Sequence, residues 1–184
     1  MNLANKLTIL RILMIPIMIV CFYLNWSMWV CAGVFILAAV TDLLDGRYAR
    51  KHNICTDFGR FMDPIADKLL VCSALILLVE GMGFPSILAI VLIGREFVIS
   101  GFRLVAAGNG TVISAGFMGK LKTVFQCIMI PWWLLQFEPI FSITPFISTL
   151  FIILMWVVTG ISVFTSIYSC VEYIYKNRKV ISFK

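Results

Sequence analysis

Charge is scarce in this chain. Only 13% of its 184 residues are Asp, Glu, Lys or Arg, about half the share found in an ordinary soluble domain. Hydrophobic side chains make up 61%, and the mean hydropathy is +1.02. That balance excludes a soluble single domain, and it excludes disorder, which needs low hydrophobicity and high net charge. Glycine and proline are few as well: 12 and 6 residues without a repeat rule out collagen-like and low-complexity chains. Histidine is almost missing, and the lone His52, beside Lys51 in a polar segment, reads as a solvated loop residue rather than a catalyst. The six cysteines show no CxxC or other paired spacing. Five of them (Cys21, Cys31, Cys72, Cys127, Cys170) fall in apolar runs, where a thiol behaves as a small hydrophobe, so neither a disulfide framework nor a cysteine metal site is expected.

An all-α integral membrane protein remains. A spanning helix takes about 20 apolar residues, and six apolar stretches are present, over residues 7–24, 29–48, 61–78, 85–106, 120–137 and 144–175. They leave no room for a second domain, so residues 1–184 are expected to form one six-helix membrane domain. The first stretch ends in Asn25, Trp26 and Trp29 rather than in small residues, and reads as an uncleaved span with an aromatic interface anchor. Three alternate turns, 25–28, 79–84 and 138–143, contain no Lys or Arg, only Glu80 and Glu138. All 15 basic residues therefore lie on or toward the other side, which the positive-inside rule assigns, with both termini, to the cytoplasm. Orientation accounts for most of the net charge of +6, and no nucleic-acid partner is expected.

The acidic residues are concentrated where an anchor would not need them. Five of the nine lie in residues 42–68, DLLDGRYARKHNICTDFGRFMDPIADK. A charge at the bilayer centre costs about 2.5–3.5 kcal/mol on the insertion scale. Four lipid-exposed carboxylates would thus cost on the order of 10 kcal/mol, so they are expected to face a watery or protein interior. At 100° per residue, Asp42, Asp45, Gly46, Ala49 and Arg50 fall within an arc of about 140° at the end of the second helix. Gly59, Asp63 and Asp67 are four apart and form one stripe at the start of the third. The two helices are antiparallel neighbours, so both aspartate sets emerge at one depth.

Carboxylates gathered in one volume repel unless cations lie between them, and an all-oxygen site suits a hard ion such as Mg²⁺ or Mn²⁺. Gly46 and Ala49 leave room for a ligand to approach the backbone, and Arg50 is placed to grip a phosphate. A metal-bound pyrophosphate follows. Helix-end charges that merely pair, Asp42 with Arg50 or Asp63 with Arg60, would explain neither the shared face nor the small residues.

These residues match D-x-x-D-G-x-x-A-R, eight residues, G-x-x-x-D-x-x-x-D without exception, from Asp42 to Asp67. The chain resembles the CDP-alcohol phosphotransferases, integral membrane enzymes of phospholipid synthesis. Asn5-Lys6-Leu7-Thr8 with Arg11, Gly94-Arg95-Glu96-Phe97 and Gly119-Lys120-Leu121-Lys122-Thr123 are similar to the branch that forms phosphatidylglycerophosphate. The resemblance implies two Mg²⁺ or Mn²⁺ ions bridged by Asp42 and Asp63, with Asp45 completing the first shell. Asp67 would ligate the second ion and serve as general base. It implies a CDP site formed by Asn5, Thr8, Gly46, Ala49, Arg50, Thr56 and Gly59, with CDP-diacylglycerol as donor, sn-glycerol 3-phosphate as acceptor, and a homodimer.

For the acceptor, Arg95, Lys120 and Lys122 are expected to form an anion pocket, since a phosphate monoester needs cations that serine or inositol would not. Pairing of Arg95 with Glu96 is the plainer alternative. Within the family, phosphatidylinositol phosphate and cardiolipin-type synthases remain alternatives. A transporter would carry charge across the bilayer rather than on one side. A membrane prenyltransferase would place its two acidic motifs farther apart in a longer chain.

Overall fold

A computed structural model of the chain describes residues 3–24, 26–52, 57–108, 116–138 and 144–178, with the side chains of 3–6, 42–52 and 57–61 outside the description. Every apolar stretch is a helix: α1 Leu3–Tyr23, α2 Met28–His52, α3 Asp57–Gly81, α4 Ser86–Gly108, α5 Phe117–Leu134 and α6 Pro145–Asn177. There is no strand among the described residues. By length and composition α6 can cross a membrane, and shorter apolar helical segments run over Leu7–Tyr23 and Met28–Thr41. Two helices are longer than their apolar cores. α2 continues to His52, so His52 ends a helix rather than lying in a loop, where the charges of Arg50 and Lys51 suit the negative end of the helix dipole. α3 begins at Asp57, which brings Gly59 onto the same helix as Asp63 and Asp67.

The chain divides into two compact units, Met1–Phe84 with Ile130–Ser148, and Pro85–Met129 with Thr149–Lys184. In the first unit, α1, α2 and α3 pack against one another. α1 buries Thr8, Arg11, Ile15, Met18 and Phe22, a three- and four-residue spacing that makes one face. In the same unit α3 buries Ala66, Leu70, Ala74, Leu77 and Leu78, and α2 buries Cys31, Ala32, Phe35 and Ala38. The small residues let the helix axes approach, as is common where no water drives association.

Two contacts fix how α1 and α3 run. At one end the Thr8 hydroxyl donates to Asp63 Oδ1 at 2.5 Å. At the other the Tyr23 hydroxyl donates to Glu80 at 2.6 Å. Sequence separations of 55 and 57 at the two ends make the helices parallel and nearly in register. Phe22 adds a steric pin beside the second contact: a Cβ on Gly81 would stand 2.5 Å from its ring, so only glycine fits there without displacing the ring.

The end of the first unit away from the aspartates is closed by local chemistry. α3 stops at a left-handed Gly83 (φ 71°), and the amides of Met82 and Phe84 return to the Leu78 carbonyl at 3.0 and 3.1 Å. Gln136 donates to the Met82 carbonyl at 2.5 Å, and Phe84 meets Trp133 edge-on at 5.0 Å. Glu138 accepts from the Met28 amide at 2.8 Å and from the Ser27 hydroxyl at 3.2 Å, which places a carboxylate at the positive end of α2.

In the second unit α6 presents a polar seam of Thr159, Ser162, Thr165, Ser166 and Ser169, all buried. Three of these hydroxyls donate back to a carbonyl one turn earlier. Thr159 donates to the Met155 carbonyl, Thr165 to Ile161 and Ser169 to Ser166.

Candidate active site

Two groups of functional residues emerge, one in each unit. The first lies where the end of α2 and the start of α3 come together. α2 is helical through Asp42, Asp45, Gly46, Ala49 and Arg50, and α3 through Gly59, Asp63 and Asp67. Only residues 53–56 separate the two helices, so both aspartate sets occupy the same end of the pair. The side chains of Asn5, Asp42, Asp45, Arg50 and the surrounding positions, and Thr56 entirely, lie outside the described residues. Among the described residues no group of three or more His, Cys, Asp or Glu is gathered closely enough to hold a metal ion. Asp63 and Asp67 supply two of the four expected carboxylates.

Thr8 belongs to this end of the molecule. It is buried, and its hydroxyl proton goes to Asp63 Oδ1. A short bond to one carboxylate oxygen fixes the rotation of Asp63 and leaves its other oxygen for a second partner. Asp63 and Asp67 are hard oxygen ligands of the kind a divalent ion takes, and Asp63 is already oriented. Sequence reasoning placed Thr8 with the nucleotide; the structure adds that it orients an aspartate.

The second group lies in the other unit, where α4, α5 and α6 meet. Glu96 is its hub. Its Oε1 accepts from Arg95 Nη1 at 3.2 Å and from the ammonium of Lys122, both largely buried. Arg95 Nη2 donates to Ser169 Oγ at 2.8 Å, and Ser169 gives its own proton to the Ser166 carbonyl, so its oxygen is fixed as an acceptor. One carboxylate thus serves two cations, leaving one net positive charge in a desolvated place.

A cavity of about 240 Å³ adjoins this group. Arg95, Arg103 and Lys176 line it, together with Ser169, Tyr173 and Asn177. Arg103 stacks over the Tyr173 ring at 5.4 Å. Lys176 donates to Glu172 at 2.5 Å, one helical turn away. Of the three cations expected around an acceptor, only Arg95 lines this cavity. Lys122 is turned to Glu96, and Lys120 is exposed. Sequence reasoning missed Arg103 and Lys176. The available signal was weak: Arg103 is two helical turns beyond Arg95, but Lys176 is more than 70 residues away and only the packing of α6 brings it near.

The sequence model for CDP-alcohol phosphatidyltransferases matches residues 1–168, which include the whole aspartate signature and both groups apart from the end of α6. The chain belongs to the CDP-alcohol phosphatidyltransferase family. Within it, the chain is 41% identical over 191 aligned positions to a Bacillus subtilis (strain 168) protein named CDP-diacylglycerol--glycerol-3-phosphate 3-phosphatidyltransferase, covering 96% of this chain and 95% of that one. Proteins of the same name from Pseudomonas fluorescens and Escherichia coli (strain K12) are 50% and 37% identical over 107 and 137 positions. Those matches cover 56% and 71% of this chain, and 55% and 75% of the relatives. Enzymes of this family are generally dependent on a divalent metal.

Proposed function

We propose that the protein transfers the phosphatidyl group of CDP-diacylglycerol to sn-glycerol 3-phosphate, releasing CMP and forming phosphatidylglycerophosphate. The observation that carries this is near full-length similarity to the Bacillus subtilis enzyme of that name, combined with an unbroken aspartate signature on two adjoining helix ends. Asp42, Asp45, Asp63 and Asp67 would hold two Mg²⁺ or Mn²⁺ ions, which when bound neutralise charge on the pyrophosphate and on the phosphoryl in flight. Asn5, Thr8, Gly46, Ala49, Arg50, Thr56 and Gly59 bind the CDP moiety. Gly46 and Gly59 keep the helix surface low so that the nucleotide approaches the backbone.

The acceptor's hydroxyl oxygen forms a bond to the phosphorus that carries diacylglycerol. The bond from that phosphorus to the CMP oxygen breaks, and the hydroxyl proton passes to the Asp67 carboxylate. Arg95 binds the acceptor's own phosphate, because it faces a cavity shared with Arg103 and Lys176, whereas Lys122 is held by Glu96. The protein acts as a homodimer in the cell membrane, with six spans and with both termini and the site on the cytoplasmic side.

The test is CMP release by the purified protein with CDP-diacylglycerol and a panel of acceptors: sn-glycerol 3-phosphate, inositol 1-phosphate, serine and phosphatidylglycerol. Release is expected with glycerol 3-phosphate, to stop on chelation, and to return with Mg²⁺ or Mn²⁺. Release with inositol 1-phosphate or phosphatidylglycerol instead would move the protein to another branch of the family.

A further inference from the structure

Arg11 heads the fully buried side chains by size among the described residues, at 0% exposure, and the chemistry above does not use it. A buried guanidinium in an apolar helix is costly unless negative charge lies close by. The parallel register of α1 and α3 says where that charge is. Thr8 meets Asp63, so at a separation of 55 Arg11 stands level with Ala66, one residue before Asp67. Arg11 follows Thr8 by three residues on the same buried face, about 4.5 Å deeper at 1.5 Å per residue. Helical side chains lean toward the N-terminus, which swings a long guanidinium back toward the level of Asp63. The other described acids of this unit, Glu80 and Glu138, are held at the opposite end by Tyr23 and by the start of α2.

We infer that Arg11 is a resident counter-cation of the aspartate cluster, a positioning residue that holds the carboxylates together when metal is absent and moderates the affinity with which metal binds. The inference rests on the metal-site reading of that cluster. Its physical content is an electrostatic sign. Without Arg11 the carboxylates repel more strongly, the metal-free protein loses stability, and a divalent ion gains more by entering. A purely structural core residue would instead lower stability equally with and without metal.

Full-length protein in nanodiscs is melted with and without MnCl₂, and free Mn²⁺ is titrated by electron paramagnetic resonance. Arg11→Met is expected to lower the metal-free midpoint, enlarge the Mn²⁺-induced rise and bind Mn²⁺ several-fold more tightly. Arg11→Lys, which keeps the charge, should remain near wild type, and adding Asp67→Asn to Arg11→Met should restore the metal-free midpoint. Equal losses with and without Mn²⁺, or weaker Mn²⁺ binding in Arg11→Met, would overturn the inference. If Arg11→Met alone does not fold, the double variant decides: recovery supports the counter-cation role and failure sinks it. Wild type showing no Mn²⁺ response would remove the metal reading and the inference with it. A wild-type response that Asp63→Asn abolishes and Arg11→Met leaves unchanged would remove the inference alone.

Discussion

Thr8 has one hydroxyl proton, and it goes to Asp63. At the residue scale this kind of assignment separates groups that do chemistry from groups that aim them. Asp67 stands one helical turn beyond Asp63 on α3, on the same stripe, which suits the proposed roles of base and metal ligand. Asp67→Asn is expected to retain Mn²⁺-dependent stabilisation and CDP-diacylglycerol binding while CMP release falls at least about 10²-fold, the usual contribution of a positioned base. Near-full turnover would displace Asp67 from that role. Arg95 poses the contrasting question, because its Glu96 bond alone would justify its presence. If it also binds the acceptor, Arg95→Gln raises the KM for glycerol 3-phosphate by about tenfold or more, the worth of one charge-assisted hydrogen bond, and moves the KM for CDP-diacylglycerol much less. Equal changes in both would assign Arg95 to structure. The sequence showed three cations near one another in the chain order of two helices, but it could not show that Glu96 would take two of them. A carboxylate's choice among cations depends on rotamers and on the rotation of each helix about its axis, and periodicity within a helix carries neither.

At the scale of elements, the helices divide the work by end. The α2–α3 end carries the aspartates, and the other end carries turns and caps. Gly83 adopts φ 71° with open space where a Cβ would go, so its substitution tests backbone strain alone. Gly83→Ala is expected to destabilise by about 1–2 kcal/mol, a fall of a few degrees in the thermal midpoint in detergent. Turnover per folded molecule should be unchanged, because the turn lies at the far end of α3 from Asp63. Helix existence was legible from apolar runs alone, and all six runs became helices. Their polar extensions were not. α2 gains Ala49–His52 because backbone hydrogen bonding continues into charged residues, and α3 gains Asp57–Arg60 as a polar opening turn ahead of Pro64. Hydropathy sees only where the apolar part stops.

The whole molecule is two compact units, each with its own polar group: aspartates with Thr8 in one, Arg95, Glu96 and Lys122 in the other. Orientation in the membrane is a property at this scale. Turns 25–28, 79–84 and 138–143 carry no Lys or Arg, and their two acids have structural partners, Glu80 with Tyr23 and Glu138 with the start of α2. A protease site appended after Lys184 is expected to be cut from the cytoplasmic side of sealed vesicles, and one inserted within 138–143 only from the opposite side. The reverse pattern would invert the topology and place the aspartates away from a cytoplasmic nucleotide pool.

The sequence by itself determined the all-helical class, the six helices among the described residues and the aspartate signature with its spacing. Each of these follows from local rules: a helix repeats every 3.6 residues, so residues three, four and seven apart share a face whatever surrounds them. The tertiary structure decided the relations between helices. It set α1 parallel to α3 at a separation of 55, brought Thr8 to Asp63, buried Arg11 on the same face of α1, gave Lys122 and Arg95 to a single Glu96, and drew Lys176 to a cavity beside Arg95. Those pairings depend on how far one helix slides and turns against another. That is settled by contacts between helices, such as Gly81 beneath the Phe22 ring and Thr8 with Asp63, not by any pattern within one segment.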